Sequence, residues 1–322
     1  MTLTRIYMEQ KSKLKQIESR LESALKAPQP ILNEASLDLL RAGGKRIRPL
    51  LTLLCAQYGD PSRETVMKSA VMLELIHMAS LVHDDVVDDS NLRRGKPTVK
   101  AQWDNRVAMF TGDFIFARAI ELISDFDNDE IHMSISRVIR DLSLGEIDQI
   151  KELYHWKQNM RVYLRRIKRK TALLMALSCQ LGALASGCSS RVGLSLYYFG
   201  YYLGMSYQMT DDILDFVGTE KQLGKPAGGD LRNGNITLPT FFALHKYGMR
   251  NAILSVLEDK NPKQSDWDSI ICAIRDCGAI QDSEQLSDAY LSKAKTILER
   301  LPQQRATRSL KEIADYIGTR ND

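Results

Sequence analysis

Residues 81–89 read Leu-Val-His-Asp-Asp-Val-Val-Asp-Asp, and this stretch decides how the rest is read. At helical spacing Asp84 and Asp88 stack one turn apart, with Asp85 beside them. Three carboxylates on one face repel one another and cost stability unless a cation partners them. Oxygen ligands so arranged suit a hard divalent ion, and Mg²⁺ bridges one or two carboxylates to phosphate groups. A solvated helix end is the alternative, but Leu75, Ile76, Leu81 and Val82 on the flanks read as buried. A second copy, Asp211-Asp212-Ile213-Leu214-Asp215, follows Met205 and Met209 at the same spacing. Facing each other across a bundle, the two motifs would hold several Mg²⁺ ions with a polyphosphate between. Carboxylates alone repel phosphate, so the metal must invert the local charge.

Outward from these motifs the chain reads as helix. No proline occurs between Pro97 and Pro226, a strong sign of long helices because proline inside one costs about 3 kcal/mol. Helical stripes run through 64–89, 161–185 and 190–217, through Met8, Leu14, Ile17, Leu21 and Leu25, and from Leu286 to Leu301. No alternating strand segments bounded by hairpin turns stand out. The expectation is one all-α domain over residues 1–322, a bundle of about ten or more helices. The stretch Gly218–Gly234 holds five glycines and reads as a functional flap.

Composition narrows the class. With 322 residues, 44% apolar and 26% charged, the chain is neither disordered nor disulfide-built. A net charge of +4 without a clustered basic face argues against nucleic acid as a partner. Five cysteines without CxxC spacing read as free buried thiols of a reducing cytosol, hence a cytoplasmic protein. The start lacks an apolar signal core. The most membrane-like stretch, Thr171–Gly187, falls short of a span and carries Ser178 and Gln180. Two basic turns flank the acidic motifs: Gly43-Gly44-Lys45-Arg46-Ile47-Arg48-Pro49 and Arg93-Arg94-Gly95-Lys96. Arginine suits bidentate phosphate contact, so beside paired metal motifs these turns read as diphosphate ligands.

Gly43–Pro49, Leu81–Asp88 with Arg93-Arg94-Gly95, Gly112-Asp113, Lys170-Thr171, Gln208-x-x-Asp211-Asp212-x-x-Asp215 and Lys225–Pro239 occur in that order. In this the chain resembles the trans-isoprenyl diphosphate synthases, or polyprenyl synthetases, over nearly its whole length. Within the family it looks most like the large catalytic subunits of the heptaprenyl type. The resemblance implies a helical bundle around a deep central cavity. It implies Mg²⁺-dependent 1'-4 condensation of isopentenyl diphosphate onto an allylic diphosphate such as farnesyl diphosphate, with three Mg²⁺ per site. Carried over by position, Asp84, Asp85, Asp88, Asp211 and Asp212 ligate Mg²⁺, with Asp215 behind them. Arg93, Lys170 and Lys225 match positions that hold the allylic diphosphate. Lys45, Arg48, His77 and Arg94 match those for isopentenyl diphosphate. Thr171 and Gln208 match polar groups near the reacting carbons.

Several residues stay open. His77 and His83 lie on different faces of their helix. Leu144 stands where many members carry a charge, leaving Glu146 and Gln149 as wall residues of unassigned role, and Asn235 stands where many have Lys. Arg161, Arg165 and Arg169 share a face, read as solvated charge or, alternatively, a partner or lipid surface. Ala79 and Ser80, just upstream of Asp84, are small where short-chain relatives carry aromatics. Each isoprene adds roughly 4–5 Å and each helical turn about 5.4 Å. A floor several turns down therefore permits a product near C35, in keeping with a menaquinone side chain by family resemblance. Stripes at Met8–Leu25 and Thr111–Ile123 could pack on another chain, as a homodimer or with a small regulatory subunit. A lipophilic product makes peripheral membrane contact reasonable. Two other classes compete: a terpene cyclase, which lacks the Gly-Gly-Lys-Arg-x-Arg-Pro turn, and a non-catalytic subunit, which loses the Asp motifs.

Overall fold

The computed structural model describes residues 2–93, 95–218, 227–259 and 261–320. Nearly every element is helical. They run α1 (Thr2–Leu25), α2 (Pro30–Arg41), α3 (Ile47–Cys55), α4 (Glu64–Val87), a hairpin of β1 (Leu92–Arg93) and β2 (Lys96–Pro97), α5 (Val99–Gln102), α6 (Asn105–Ile123) and α7 (Asp129–Glu152). Next come α8 (Met160–Ile167), a π-turn at Lys168–Ala172, α9 (Leu173–Ala185) and α10 (Ser190–Val217). The short α11 (Gly229–Arg232) and α12 (Leu238–Ala243) precede α13 (Met249–Leu257), α14 (Gln264–Asp276), α15 (Ala279–Glu299) and α16 (Arg305–Gly318).

Contacts divide the chain into two compact units. The first holds residues 1–136, 177–197 and 301–310. Its centre is α4, against which α1, α3, α5 and α6 pack. Val66, Ala70, Met72, Leu73, Leu75, Ile76 and Val82 are all buried, so α4 is apolar nearly all round, as an interior helix must be. Asp104 opens α6 by accepting the Val107 backbone N–H at 2.7 Å, which satisfies one of that helix's orphan donors.

The second unit holds residues 137–176, 198–300 and 311–322. One apolar cluster joins Tyr163, Ile167 and Ala172 to Met205, Met209 and Leu238. A larger one gathers Phe216, Leu231, Ile236, Ile253 and Ile274. Asn159 starts α8 by accepting the Arg161 and Val162 backbone N–H groups at 3.0 and 3.2 Å.

Five sequence expectations need correction. A hairpin does exist, pairing Leu92 with Pro97, too short to show an alternating pattern. The helix most able to cross a membrane by length and composition is α4 rather than 171–187, and 72% of its apolar window is buried inside the protein. The N-terminal stripe turns inward, since Ile17, Leu21 and Leu25 are buried in their own chain and only Met8 is well exposed. Cysteines are not uniformly buried: Cys55 and Cys179 are, Cys188 and Cys277 are half-buried, and Cys272 is exposed. The arginines of α8 and the π-turn are not merely solvated, because Arg165 and Arg169 both pair with Asp148 of α7. Of the glycine-rich stretch 218–234, residues 219–226 lie outside the description, and its far end folds as α11.

Candidate active site

Helix α4 carries the first acidic motif to its own C-terminal end. Asp84 and Asp85 fall in its last turn and Asp88 caps it. Carboxylates there face the negative end of the helix dipole, so the motif needs cations. In the structure Arg93 of the hairpin meets one of them, its Nε and Nη2 donating to Asp85 Oδ1 at 2.9 and 2.6 Å. Lys100 pairs with Asp89, whose backbone is left-handed. Asp84 is half-buried and Asp88 exposed.

One face of α4, formed by Glu74, His77, Met78, Leu81 and Asp85, lines a cavity of about 250 Å³. Asp38 and Arg41 of α2, Gly43, Arg46, Arg93 and Lys96 complete much of the wall. His77 thus opens on the cavity. His83 instead lies against α6, its Nε2 3.3 Å from Asp113 Oδ1 and from the Met109 carbonyl. Gly112 makes that fit possible, since a Cβ there would stand 2.3 Å from the imidazole.

The basic turn divides its labour. Arg46, left-handed at φ 47°, points inward. Its guanidinium donates to Glu18 Oε1 at 2.5 Å, Glu74 Oε1 at 3.0 Å and the Leu40 carbonyl at 3.2 Å. Burial works against its charge, but the hydrogen bonds and charges of Glu18 and Glu74 outweigh it and hold the guanidinium above its ordinary pKa. Arg46 is therefore a clamp that shapes the turn, leaving exposed Lys45 and half-buried Arg48 on either side.

The second motif also ends a helix, in the last two turns of α10, and is built differently. Asp212 is 3% exposed. Its Oδ2 accepts from the Tyr163 hydroxyl at 2.7 Å and its Oδ1 from Gln208 Nε2 at 3.0 Å. Gln208 in turn accepts from Thr171 Oγ1 at 2.6 Å, and Lys170 Nζ donates to Gln149 Oε1 at 2.9 Å. Burial, then the charge of Asp230, pushes Asp212 up to about 7, although the bonds from Gln208 and Tyr163 pull the other way. Burial and the neighbouring Asp212 hold the Tyr163 phenol well above its usual range. Asp211 pairs with Arg320 at 2.6 Å, and Arg320 stacks over the Tyr207 ring at 4.9 Å. Asp215 Oδ2 accepts the Asp230 backbone N–H at 3.1 Å, which ties the start of α11 to α10.

Among the described residues no three His, Cys, Asp or Glu side chains converge as a ready-made metal cage. The donor sets still fit Mg²⁺, which usually keeps several waters and takes one or two carboxylates plus substrate phosphates. A buried carboxylate raised toward neutrality by a second acid is the electrostatic mark of a place that wants a cation. Arg94 and Lys225, both expected at diphosphates, lie outside the described residues. Ala79 is buried and Ser80 half-buried, its hydroxyl donating to the His77 carbonyl at 2.8 Å. Sequence reading missed Tyr163, Glu74 and Arg320. Tyr163 left one faint trace: it precedes Lys170 by seven residues, two turns along the same stripe.

Comparison with known proteins identifies the family. The polyprenyl synthetase family pattern matches residues 29–274. The chain belongs to that family and is a prenyltransferase. It is 51% identical over 304 residues to heptaprenyl diphosphate synthase component 2 of Bacillus subtilis, covering 94% of this chain and 87% of that protein. It is 50% identical over 321 residues to the same component of Geobacillus stearothermophilus, covering both chains fully. The crystal structure of heptaprenyl diphosphate synthase from Staphylococcus aureus matches with a TM-score of 0.92 at 39% identity, over 97% of this chain and 98% of that one. A Caulobacter crescentus polyprenyl synthase, complexed with calcium and isoprenyl diphosphate, matches at 0.93 and 31%, over 100% and 98%.

Proposed function

We propose that residues 1–322 act as one catalytic domain that extends an allylic diphosphate, farnesyl diphosphate for preference, with isopentenyl diphosphate to about C35. The observation that carries this is the pair of acidic motifs, each at a helix C-terminus and each met by an arginine: Asp85 by Arg93, Asp211 by Arg320. Relatives named as component 2 of heptaprenyl diphosphate synthase support the chain length.

Asp84, Asp85 and Asp88 would hold Mg²⁺ in the first unit, and Asp211 and Asp212 in the second, with Asp215 positioning α11. Three ions per site is the family expectation, and the Caulobacter relative, complexed with calcium and isoprenyl diphosphate, supports a divalent cation. When bound, Mg²⁺ supplies positive charge against the departing diphosphate. The chain's own residues do the rest. Arg93 would exchange Asp85 for a phosphate oxygen; Lys170 and Lys225 are the other positions that family resemblance assigns to the allylic diphosphate. His77, Lys45, Arg48 and Arg94 are the positions assigned to isopentenyl diphosphate by family resemblance, and of these His77 lines the cavity beside α4. Cationic donors placed where charge develops stabilise the leaving group. Thr171 and Gln208 sit by the reacting carbons, and the released diphosphate takes the proton. Ala79 and Ser80 leave room for the growing tail.

"Component 2" in the relatives' names supports a small regulatory partner, with a homodimer as the other arrangement. A menaquinone side chain, a cytoplasmic location and peripheral membrane contact complete the proposal. Purified chain with farnesyl diphosphate, labelled isopentenyl diphosphate and Mg²⁺ should yield a product near C35 by chromatography, and Ala79→Phe should shorten it. Activity appearing only with host extract would assign the chain to a heteromeric synthase. Silence in both would sink the proposal.

A further inference from the structure

The π-turn at Lys168–Ala172 carries Thr171 and follows Tyr163, and both side chains reach α10. At about 100° per residue, Thr171 on an unbroken helix would lie about 80° round from Tyr163, eight positions earlier. A π-turn takes up one extra residue, so Thr171 falls in phase as if seven positions on, about 20° from Tyr163. Both therefore face the same partner. On α10 that partner is a stack of Gly204, Gln208 and Asp212, each one turn from the next. Gly204 admits the π-turn: a Cβ there would meet Ala172 Cα at 2.6 Å. The result is one chain of hydrogen bonds, Thr171 to Gln208 at 2.6 Å, Gln208 to Asp212 at 3.0 Å, and Tyr163 to Asp212 at 2.7 Å.

From this geometry we infer that Tyr163 is a positioning residue, whose buried hydroxyl fixes the Asp212 carboxylate in the orientation that receives the divalent cation. The inference rests on the reading of Asp212 as a Mg²⁺ ligand. Tyr163 is 1% exposed and packed against Met205 and Met209, so its ring cannot swing away. With Gln208 on Oδ1 and Tyr163 on Oδ2, each carboxylate oxygen keeps one direction for a metal. Thr171 then transmits the same alignment to the substrate side through Gln208. Partners behind metal ligands commonly set affinity in this way.

The test is Mn²⁺ binding to the full chain, followed by the free-ion EPR signal and by displacement with Mg²⁺. Tyr163→Phe keeps the ring and removes only the oxygen. It should weaken metal binding about 10–100-fold and raise the Mg²⁺ needed for half-maximal rate, with KM for isopentenyl diphosphate unchanged. Asp212→Asn should weaken it at least as much. If Asp212→Asn binds metal normally, the metal reading of Asp212 fails and the inference falls with it. If Asp212→Asn is weakened while Tyr163→Phe stays within about twofold of wild type, Tyr163 only packs and the inference alone is overturned. A second measurement needs no disruptive variant. With 3-fluorotyrosine placed at 163, Mg²⁺ should shift the ¹⁹F resonance while affinity stays near wild type; an unmoved resonance overturns the inference.

Discussion

The two acidic motifs solve one problem in opposite ways. Both crowd carboxylates at the negative end of a helix. The first reaches the surface at Asp88 and Asp89, although Asp85 is as buried as Asp212, and answers with cations, Arg93 and Lys100. The second also has a cation, Arg320 at half-buried Asp211, but at buried Asp212 it answers with neutral donors, the Tyr163 hydroxyl and the Gln208 amide. Cations can be exchanged for a metal and a phosphate. Fixed neutral donors cannot leave, so they orient a ligand instead. The first region is thus equipped to hand over charge and the second to hold geometry.

The contrast can be broken most forcefully at Arg46. Both Arg46 and Glu74 are buried, and removing one partner strands the other charge, so Arg46→Ala should cost about 3–5 kcal/mol by chemical denaturation. A loss below about 1 kcal/mol would mean the first region does not depend on its clamp. Next comes activity. Asp85→Ala and Asp212→Ala should each lower kcat about 10²–10³-fold in steady-state assays. A silent Asp85→Ala would leave the second region as the sole site of charge handling.

The third test is pH. Asp212 is raised from 3.8 to about 7 in the fold, so the folded state binds the extra proton between those values. Its stabilising contribution is complete below about pH 4 and is lost as pH rises through about 7, at most about 4 kcal/mol. Melting of the metal-free chain from pH 5 to 8 should show this fall, and Asp212→Asn should flatten it. An unchanged slope in that variant would place the titration elsewhere. Smallest is Gly204→Ala, where overpacking against Ala172 should cost about 1–3 kcal/mol in a thermal melt. A variant as stable as wild type would show that the π-turn can back away from α10.

Legibility in the sequence follows the same division. In the first region the acidic motif and Arg93 lie close together in the chain, and local spacing displays them, whereas Glu74 and Glu18, which hold Arg46, are not legible. Helix pattern and the absence of proline revealed the long helices for the same reason. The second region draws on Gln149, Tyr163, Thr171, Asp212 and Arg320, which no local pattern joins. Tyr163 reads as core, since nothing in the sequence says where its hydroxyl ends. The π-turn is invisible too, because one surplus residue leaves no mark on an apolar stripe this dense. Arg46 reads like its neighbours Lys45 and Arg48, and only the left-handed backbone turns it inward.

The ion pair between Arg93 and Asp85 has a consequence at long range. Acid matched to base at 2.6 Å projects a dipole rather than a charge, and its field fades well within one screening length of about 8 Å in physiological salt. A diphosphate approaching from solution therefore meets little repulsion from Asp85 itself, and any steering comes from the unmatched charges around it.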